Sequence, residues 1–146
     1  MVETNGRNFD LLTLGQVLLR LSPPDNERLS RGDTFVKQVG GAELNVAVGA
    51  ALLGLHTGVI SKLPAHDIGS FMKGKIRSFG VSDDFFMYDQ SPAARVGIYY
   101  YENGAYPRKP KVIYDRNHSS FFSLDIDEIP EEVYTASKCF HTTGIT

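Results

Sequence analysis

Apolar residues run along the chain in short clusters, and the spacing between clusters changes partway. Residues 10–14 (Asp-Leu-Leu-Thr-Leu) are a short apolar run closed by Gly15, which predicts a buried strand and a break. A second apolar stretch covers 17–21. Pro23 and Pro24 then force a loop, because two prolines deny both a helix and a ladder their donors. Residues 34–39 alternate loosely, as a strand does. After Gly40 and Gly41 a helix is predicted over 42–55. It is apolar almost all round, which predicts burial on several sides, and Gly54 is its stop. Residues 57–61 read as a core strand. Asp67 is the predicted cap of a helix running to Phe79, with Ile68, Phe71, Met72, Ile76 and Phe79 as its buried stripe and Gly80 as its end. A further short strand follows at 84–88.

Strands and helices alternate up to this point, which is the signature of an α/β fold with a parallel sheet covered by helices. The rhythm then changes. Residues 94–102 and 111–116 are two β-rich runs with Asn103-Gly104 and two prolines between them, which predicts an antiparallel pair with an irregular loop. With 17–21 and 34–39 they can form a small second sheet outside the main one, a lid with strands at about 17–39 and 94–116. Residues 125–135 suggest a weak helix and 137–141 a last core strand. Ile145-Thr146 falls where such a fold would begin its next loop and helix. A parallel sheet with few strands and an unfinished unit is poorly buried, so a truncated domain is expected. Internal repeats and low-complexity segments are absent from the sequence.

Composition narrows the function classes. The chain has 146 residues and a formal charge of −2, with acidic and basic residues nearly balanced. That gives no support for a nucleic-acid or anionic-membrane partner, which would need a clustered basic face. A single cysteine, Cys139, cannot form an internal disulfide; beside Phe140 it reads as a small core residue. The polar first eight residues lack the apolar segment of a signal peptide, and no apolar run approaches the roughly 20 residues of a membrane helix. A cytoplasmic location is expected.

Several motif-like patterns fail on their chemistry. Gly69 to Lys75 has the spacing of a phosphate-binding loop, but Ile76 stands where the magnesium-holding hydroxyl belongs, and the segment lies inside a helical pattern. His56, His66, His118 and His141 are scattered, with no metal-ligand spacing, and no Gly-x-Ser-x-Gly turn occurs. The informative string is Val39-Gly40-Gly41-Ala42-Glu43-Leu44-Asn45-Val46-Ala47. Two glycines let a backbone approach a ligand closely. The helix that follows offers free N–H groups and a positive dipole end. Asn45, one turn in, both donates and accepts, which suits a sugar hydroxyl. Alone, the string is equally compatible with a tight strand-to-helix turn.

That string, continued by Ala-Leu-Leu-Gly-Leu-His-Thr-Gly-Val-Ile-Ser-Lys-Leu-Pro-Ala-His-Asp-Ile-Gly, resembles the N-terminal signature of the ribokinase (PfkB) family of carbohydrate kinases. His66-Asp67-Ile68-Gly69 stands in place of the family's Gly-Asp-x-x-Gly turn, with His66 departing from the usual glycine. The resemblance covers about 10–146, and it makes residues 1–146 the N-terminal part of one ribokinase-like domain. The 2-keto-3-deoxygluconate kinases look nearest, through the Gly-Gly-Ala-Glu-x-Asn-Val-Ala string, Val96-Gly97-Ile98-Tyr99 and Val112-Ile113-Tyr114-Asp115-Arg116. The resemblance implies that Gly41 to Asn45 line the sugar, that Tyr99 and Tyr114 contact it from the lid, and that Arg116 meets a substrate carboxylate. The chemistry agrees with the last role, since a guanidinium matches a carboxylate with two prongs. Tyr114 and Arg116, two apart on a strand, face the same side, whereas Tyr100 reads as plain aromatic surface. Gln16 stands where these kinases often carry an acid.

The family's catalytic base lies in a Gly-Ala-Gly-Asp loop, and no such string occurs here. The expectation is therefore a substrate-holding part with no catalytic residue and no phosphoryl transfer of its own. ATP and Mg2+ would belong to the full-length parent, and none would be held by this part. Partners implied are a small sugar acid and, through the lid sheet, a second copy in a homodimer. The alternatives are a kinase of another sugar, such as fructose or an inositol-derived keto acid, or a non-catalytic sugar-binding or dimerising module.

Overall fold

A computed structural model describes residues 8–144. Its centre is the strand pair the apolar runs foretold. β1 (Phe9–Leu14) lies between β4 (Thr57–Pro64) and β9 (Ser137–His141), parallel to both. The register pairs Leu11 with Thr57 and Leu14 with Ile60. β4 is buried along its whole length, as a strand covered on both faces must be. It also carries β5 (Val81–Ser82) beside its start and β6 (Phe86–Asp89) beside its end, both parallel. The strand expected at 84–88 is β6, shifted towards Asp89, and β5 precedes it across a turn in which the Phe86 N–H bonds the Asp83 carbonyl at 3.1 Å.

β2 (Leu18–Ser22), β3 (Val36–Gly40), β7 (Gly97–Glu102) and β8 (Lys111–Asp115) form the second sheet in the order β3-β2-β7-β8. The outer pairs are antiparallel, and β2 runs parallel to β7. This is the lid expected from the change of rhythm.

The two helices are α1 (Ala42–Leu52) and α2 (Asp67–Ser78). Both pack into one core. Leu44, Ala47, Met72 and Ile76 meet Val59 and Leu63 of β4, and the same cluster takes in Val17, Leu19 and Val96. One core therefore fastens the lid to the main sheet. A second cluster covers the main sheet where Val133 and Ala136 pack on Phe9, Leu12 and Ile60.

Several expectations are corrected. Residues 125–135 do not form one continuous helix; the segment folds as short 3-10 turns at Ile126–Glu128 and Glu131–Tyr134, after another at Ser120–Ser123. Pro130 lacks the N–H that a continuous helix needs, and Asp125 and Glu128 cap the middle turn reciprocally. His66, not Asp67, caps α2: its ring Nδ1 accepts from the Gly69 N–H at 3.4 Å. Asp67 instead sits in the first turn, where its charge complements the helix dipole. α1 is not buried on several sides among the described residues. Glu43, Leu44 and Ala47 are its buried face, whereas Leu52 and Leu53 are 79% and 84% exposed. Cys139 is exposed too. It lies on β9, which pairs along one edge only among the described residues.

Candidate functional site

A cleft of about 260 Å³ opens between the start of α1 and the lid, lined by Leu18, Gly41, Ala42, Asn45, Tyr99, Tyr114 and Arg116. All of the candidate residues read from the sequence (Gly41, Asn45, Tyr99, Tyr114, Arg116) meet there, from three separate stretches of chain.

The double glycine answers two different steric demands. A Cβ on Gly40 would lie 2.4 Å from the Tyr99 hydroxyl, so this glycine makes room for the phenol. Gly41 has φ 139°, in the region side chains avoid, and a Cβ there would lie 2.6 Å from the Gln16 carbonyl oxygen. Together they bring β3, the turn after β1, and α1 into close contact. Gly41 caps α1 without a side-chain hydrogen bond, and its carbonyl accepts from the Asn45 N–H at 2.9 Å. The first-turn N–H groups lack helical acceptors, and Ala42 and Asn45 at that end line the cleft.

Glu43 turns away from the cleft. It is buried, its Oε1 accepts from the Thr143 N–H at 3.1 Å and from the Thr143 hydroxyl, and its carboxyl fills the space over Gly15. It ties the start of α1 to the loop after β9.

The lid supplies the side wall. Tyr99 and Tyr114 are partners across β7 and β8, their rings 6.0 Å apart and inclined by 34°. Burial pushes the Tyr99 phenol above the ordinary tyrosine range, and the nearby Arg20 pulls the other way. The phenol therefore stays protonated at neutral pH, able to donate as well as accept. Arg116 follows Tyr114 by two and sits just beyond β8, half-buried. Tyr100 points elsewhere; its ring pairs with Phe35 at 6.0 Å.

Residues the motif reading passed over also shape the site. Leu18 and Ala42 line it. Arg20 stands over the Tyr101 ring at 4.3 Å and donates from Nε to the Ser22 hydroxyl at 2.9 Å. The alternation Leu18, Arg20, Ser22 was visible in the sequence as one strand face, but not that Arg20 pairs with Tyr99 across β2 and β7. Gln16, noted in the sequence only as standing where the resembled kinases often carry an acid, is buried beside this site.

Chemically, the cleft offers aromatic faces for sugar carbons, a phenol and an amide for hydroxyls, and a guanidinium for a carboxylate. None of its lining side chains is a carboxylate or imidazole that could take a proton at neutral pH. No group of three or more His, Cys, Asp and Glu among the described residues is placed to hold a metal. The segment with phosphate-loop spacing lies in α2, where a Cβ on Gly69 would come 2.0 Å from the Pro64 carbonyl oxygen. That glycine permits a close helix–strand contact, not a phosphate cradle. No helix among the described residues is long and apolar enough to cross a membrane.

Comparison with known proteins meets the site from outside. The chain is 36% identical over 137 residues to a 2-dehydro-3-deoxygalactonokinase of Haloferax volcanii, covering 94% of this chain and 42% of that protein. A 5-dehydro-2-deoxygluconokinase of Bacillus cereus is 29% identical over 145 residues, covering 99% of this chain and 43% of that protein. Among solved structures, the 2-dehydro-3-deoxygluconokinase of Thermotoga maritima superposes with a TM-score of 0.88 at 38% identity, covering 94% of this chain and 42% of that one. The chain thus spans less than half the length of the relatives it matches. The fold is ribokinase-like, a parallel α/β sheet with a second small sheet. The model of the pfkB family of carbohydrate kinases matches residues 8–146, and this chain belongs to that family.

Proposed function

We propose that the protein carrying this chain is an ATP- and magnesium-dependent kinase of a 2-keto-3-deoxy sugar acid, and that these residues hold the acid while the phosphoryl group is delivered from elsewhere. The observation that carries the reading is the convergence of Arg116, Tyr99, Tyr114, Gly41 and Asn45 on one cleft. Arg116 is the cation of that cleft, and a carboxylated sugar is the ligand that uses it fully. The similarity to kinases of keto-deoxy sugar acids points the same way. The segment with phosphate-loop spacing forms no phosphate cradle, and no step of phosphoryl transfer is assigned to the described residues.

Within this reading the first turn of α1 and Asn45 bind sugar hydroxyls, Tyr99 and Tyr114 pack on the carbons, and the lid shields the site from water. The open face of the lid is where we place a second copy in a homodimer. Val36, Val112 and Tyr114 are 47%, 42% and 61% exposed there. The protein is proposed to work in the cytoplasm. A kinase of a 5-keto acid is the second reading, favoured by the similarity to the Bacillus cereus protein.

The test is Arg116→Ala in the full-length gene product, assayed by coupled phosphorylation of 2-keto-3-deoxygluconate and of fructose. Loss of a charged hydrogen-bonding partner predicts a fall in kcat/KM for the acid of about 10- to 100-fold, with little change for the neutral sugar. Equal loss on both substrates would sink the carboxylate assignment.

A further inference from the structure

Resting on that reading, we infer that Gln16 is a positioning residue for substrate affinity: it fixes the place from which Arg116 reaches the cleft. Arg116 lies one residue past the last pair of the β7–β8 ladder, Ile98 with Asp115. The strand therefore does not set its backbone. Gln16 reaches across instead. Its Nε2 donates to the Ser119 hydroxyl at 2.6 Å and lies 3.4 Å from the Arg116 carbonyl, a span of about 100 residues in sequence. Gln16 and Ser119 are both about 4% exposed, so the tie is shielded from water and its bonds compete little with solvent.

Gln16 is itself held firmly. The Gly15 N–H bonds the Ile60 carbonyl at 3.2 Å, which fastens this turn to the main sheet. The Gln16 carbonyl fills the space beside Gly41. A Cβ on Gly97 would lie 2.6 Å from Gln16 Nε2 and 3.3 Å from Arg116 Cβ, so the amide and the arginine sit against the same glycine at the start of β7. On its far side the 117–120 loop is anchored as well: the Ser120 hydroxyl donates to Asp89 at 2.8 Å and accepts from the Arg95 N–H at 3.2 Å. Arg95 adds a second tie to this stretch, pairing with the Asp115 carboxylate at 2.9 Å and donating to the Asn117 carbonyl at 3.1 Å, but the Gln16 amide is the one that reaches the Arg116 carbonyl from the turn after β1. The Oε1 of that amide is buried without a partner among the described residues. A half-satisfied buried amide is a poor stabiliser, so its value lies in where it holds the arginine rather than in folding.

The test is steady-state kinetics on the full-length gene product with 2-keto-3-deoxygluconate and ATP. Gln16→Leu should raise KM for the sugar acid about tenfold, leave KM for ATP unchanged and change kcat less than about twofold. Ser119→Ala should move the same constant in the same direction, and the double variant should match Gln16→Leu alone, because both remove one bond. In an Arg116→Ala background Gln16→Leu should add nothing. The inference is overturned if Gln16→Leu raises the sugar KM equally in that background, or leaves it unchanged in the parent. If Arg116→Ala itself leaves the sugar KM unchanged, the substrate reading fails and the inference falls with it. Where Gln16→Leu destabilises the fold, Ser119→Ala with and without Arg116→Ala decides the same question by removing one hydroxyl.

Discussion

At the floor of the cleft, Gly40, Gly41 and the start of α1 are locked between the Tyr99 phenol, the Gln16 carbonyl and the buried Glu43. On the side wall Tyr114 is 61% exposed, and Arg116 lies beyond the end of its strand. The floor is positioned by contacts too close to admit a methyl group. The wall is built from side chains that line the cleft, with the Tyr114 ring against Tyr99. Changes to the floor and the sheet beneath it should therefore cost folding, and changes to the wall should cost binding.

The largest effect should come from Leu12→Ala, beneath the site. Leu12 is fully buried among Phe9, Ile60 and Val133, so the cavity should cost about 2–5 kcal/mol in denaturant unfolding. A cost under about 1 kcal/mol would show that this face of the main sheet is loosely packed. Gly41→Ala comes next. It forces a side chain into φ 139° and against the Gln16 carbonyl, which should cost about 1–3 kcal/mol and widen the cleft. If Gly41→Ala melts with the parent but binds sugar poorly, the floor is a ligand surface rather than a structural lock. Tyr114→Ala should do the reverse. Its melting should stay within about 0.5 kcal/mol of the parent, while affinity for the sugar acid, followed by calorimetry, falls by about 1 kcal/mol as the aromatic contact is lost.

The smallest effect concerns acid. The Lys62 ammonium donates to Glu128 at 2.8 Å and holds that carboxyl below the ordinary glutamate range, helped by the Asp125 N–H. A lowered folded value means that the pair contributes stability above the ordinary glutamate range and loses it as pH falls through the lowered value. Glu128 is over a third exposed, so the contribution is small. Glu128→Gln should flatten part of the acid limb of the stability curve and leave neutral-pH sugar binding unchanged. An unaltered acid limb would show that the tie between β4 and the 3-10 segment contributes nothing.

Much of this was legible along the chain because its causes are local. Gly15, Gly54 and Gly80 mark real ends. Of the expected stripe, Met72 and Ile76 are buried and Ile68, Phe71 and Phe79 are partly buried against the same core, and Tyr114 and Arg116 line one cleft although Arg116 lies just past the end of β8. Other features were hidden for equally physical reasons. His66 rather than Asp67 is the cap because α2 begins at Asp67, which places that residue inside the first turn. Pro130 and the Asp125–Glu128 box break a stretch whose composition suggested a helix.

The sequence by itself determined the alternation of strands and helices and the second sheet, since these follow from periods of two or 3.6 and from glycine spacing, while the cleft residues were named through the family resemblance. Only the tertiary structure decided which apolar surfaces are covered. Leu52, Leu53 and Cys139 read as core yet stand open, because burial depends on what lies across from a residue, and a one-dimensional pattern does not contain that. It also decided that Gln16 meets Ser119 and the Arg116 carbonyl. Such a contact joins residues about 100 positions apart and leaves no periodicity to read.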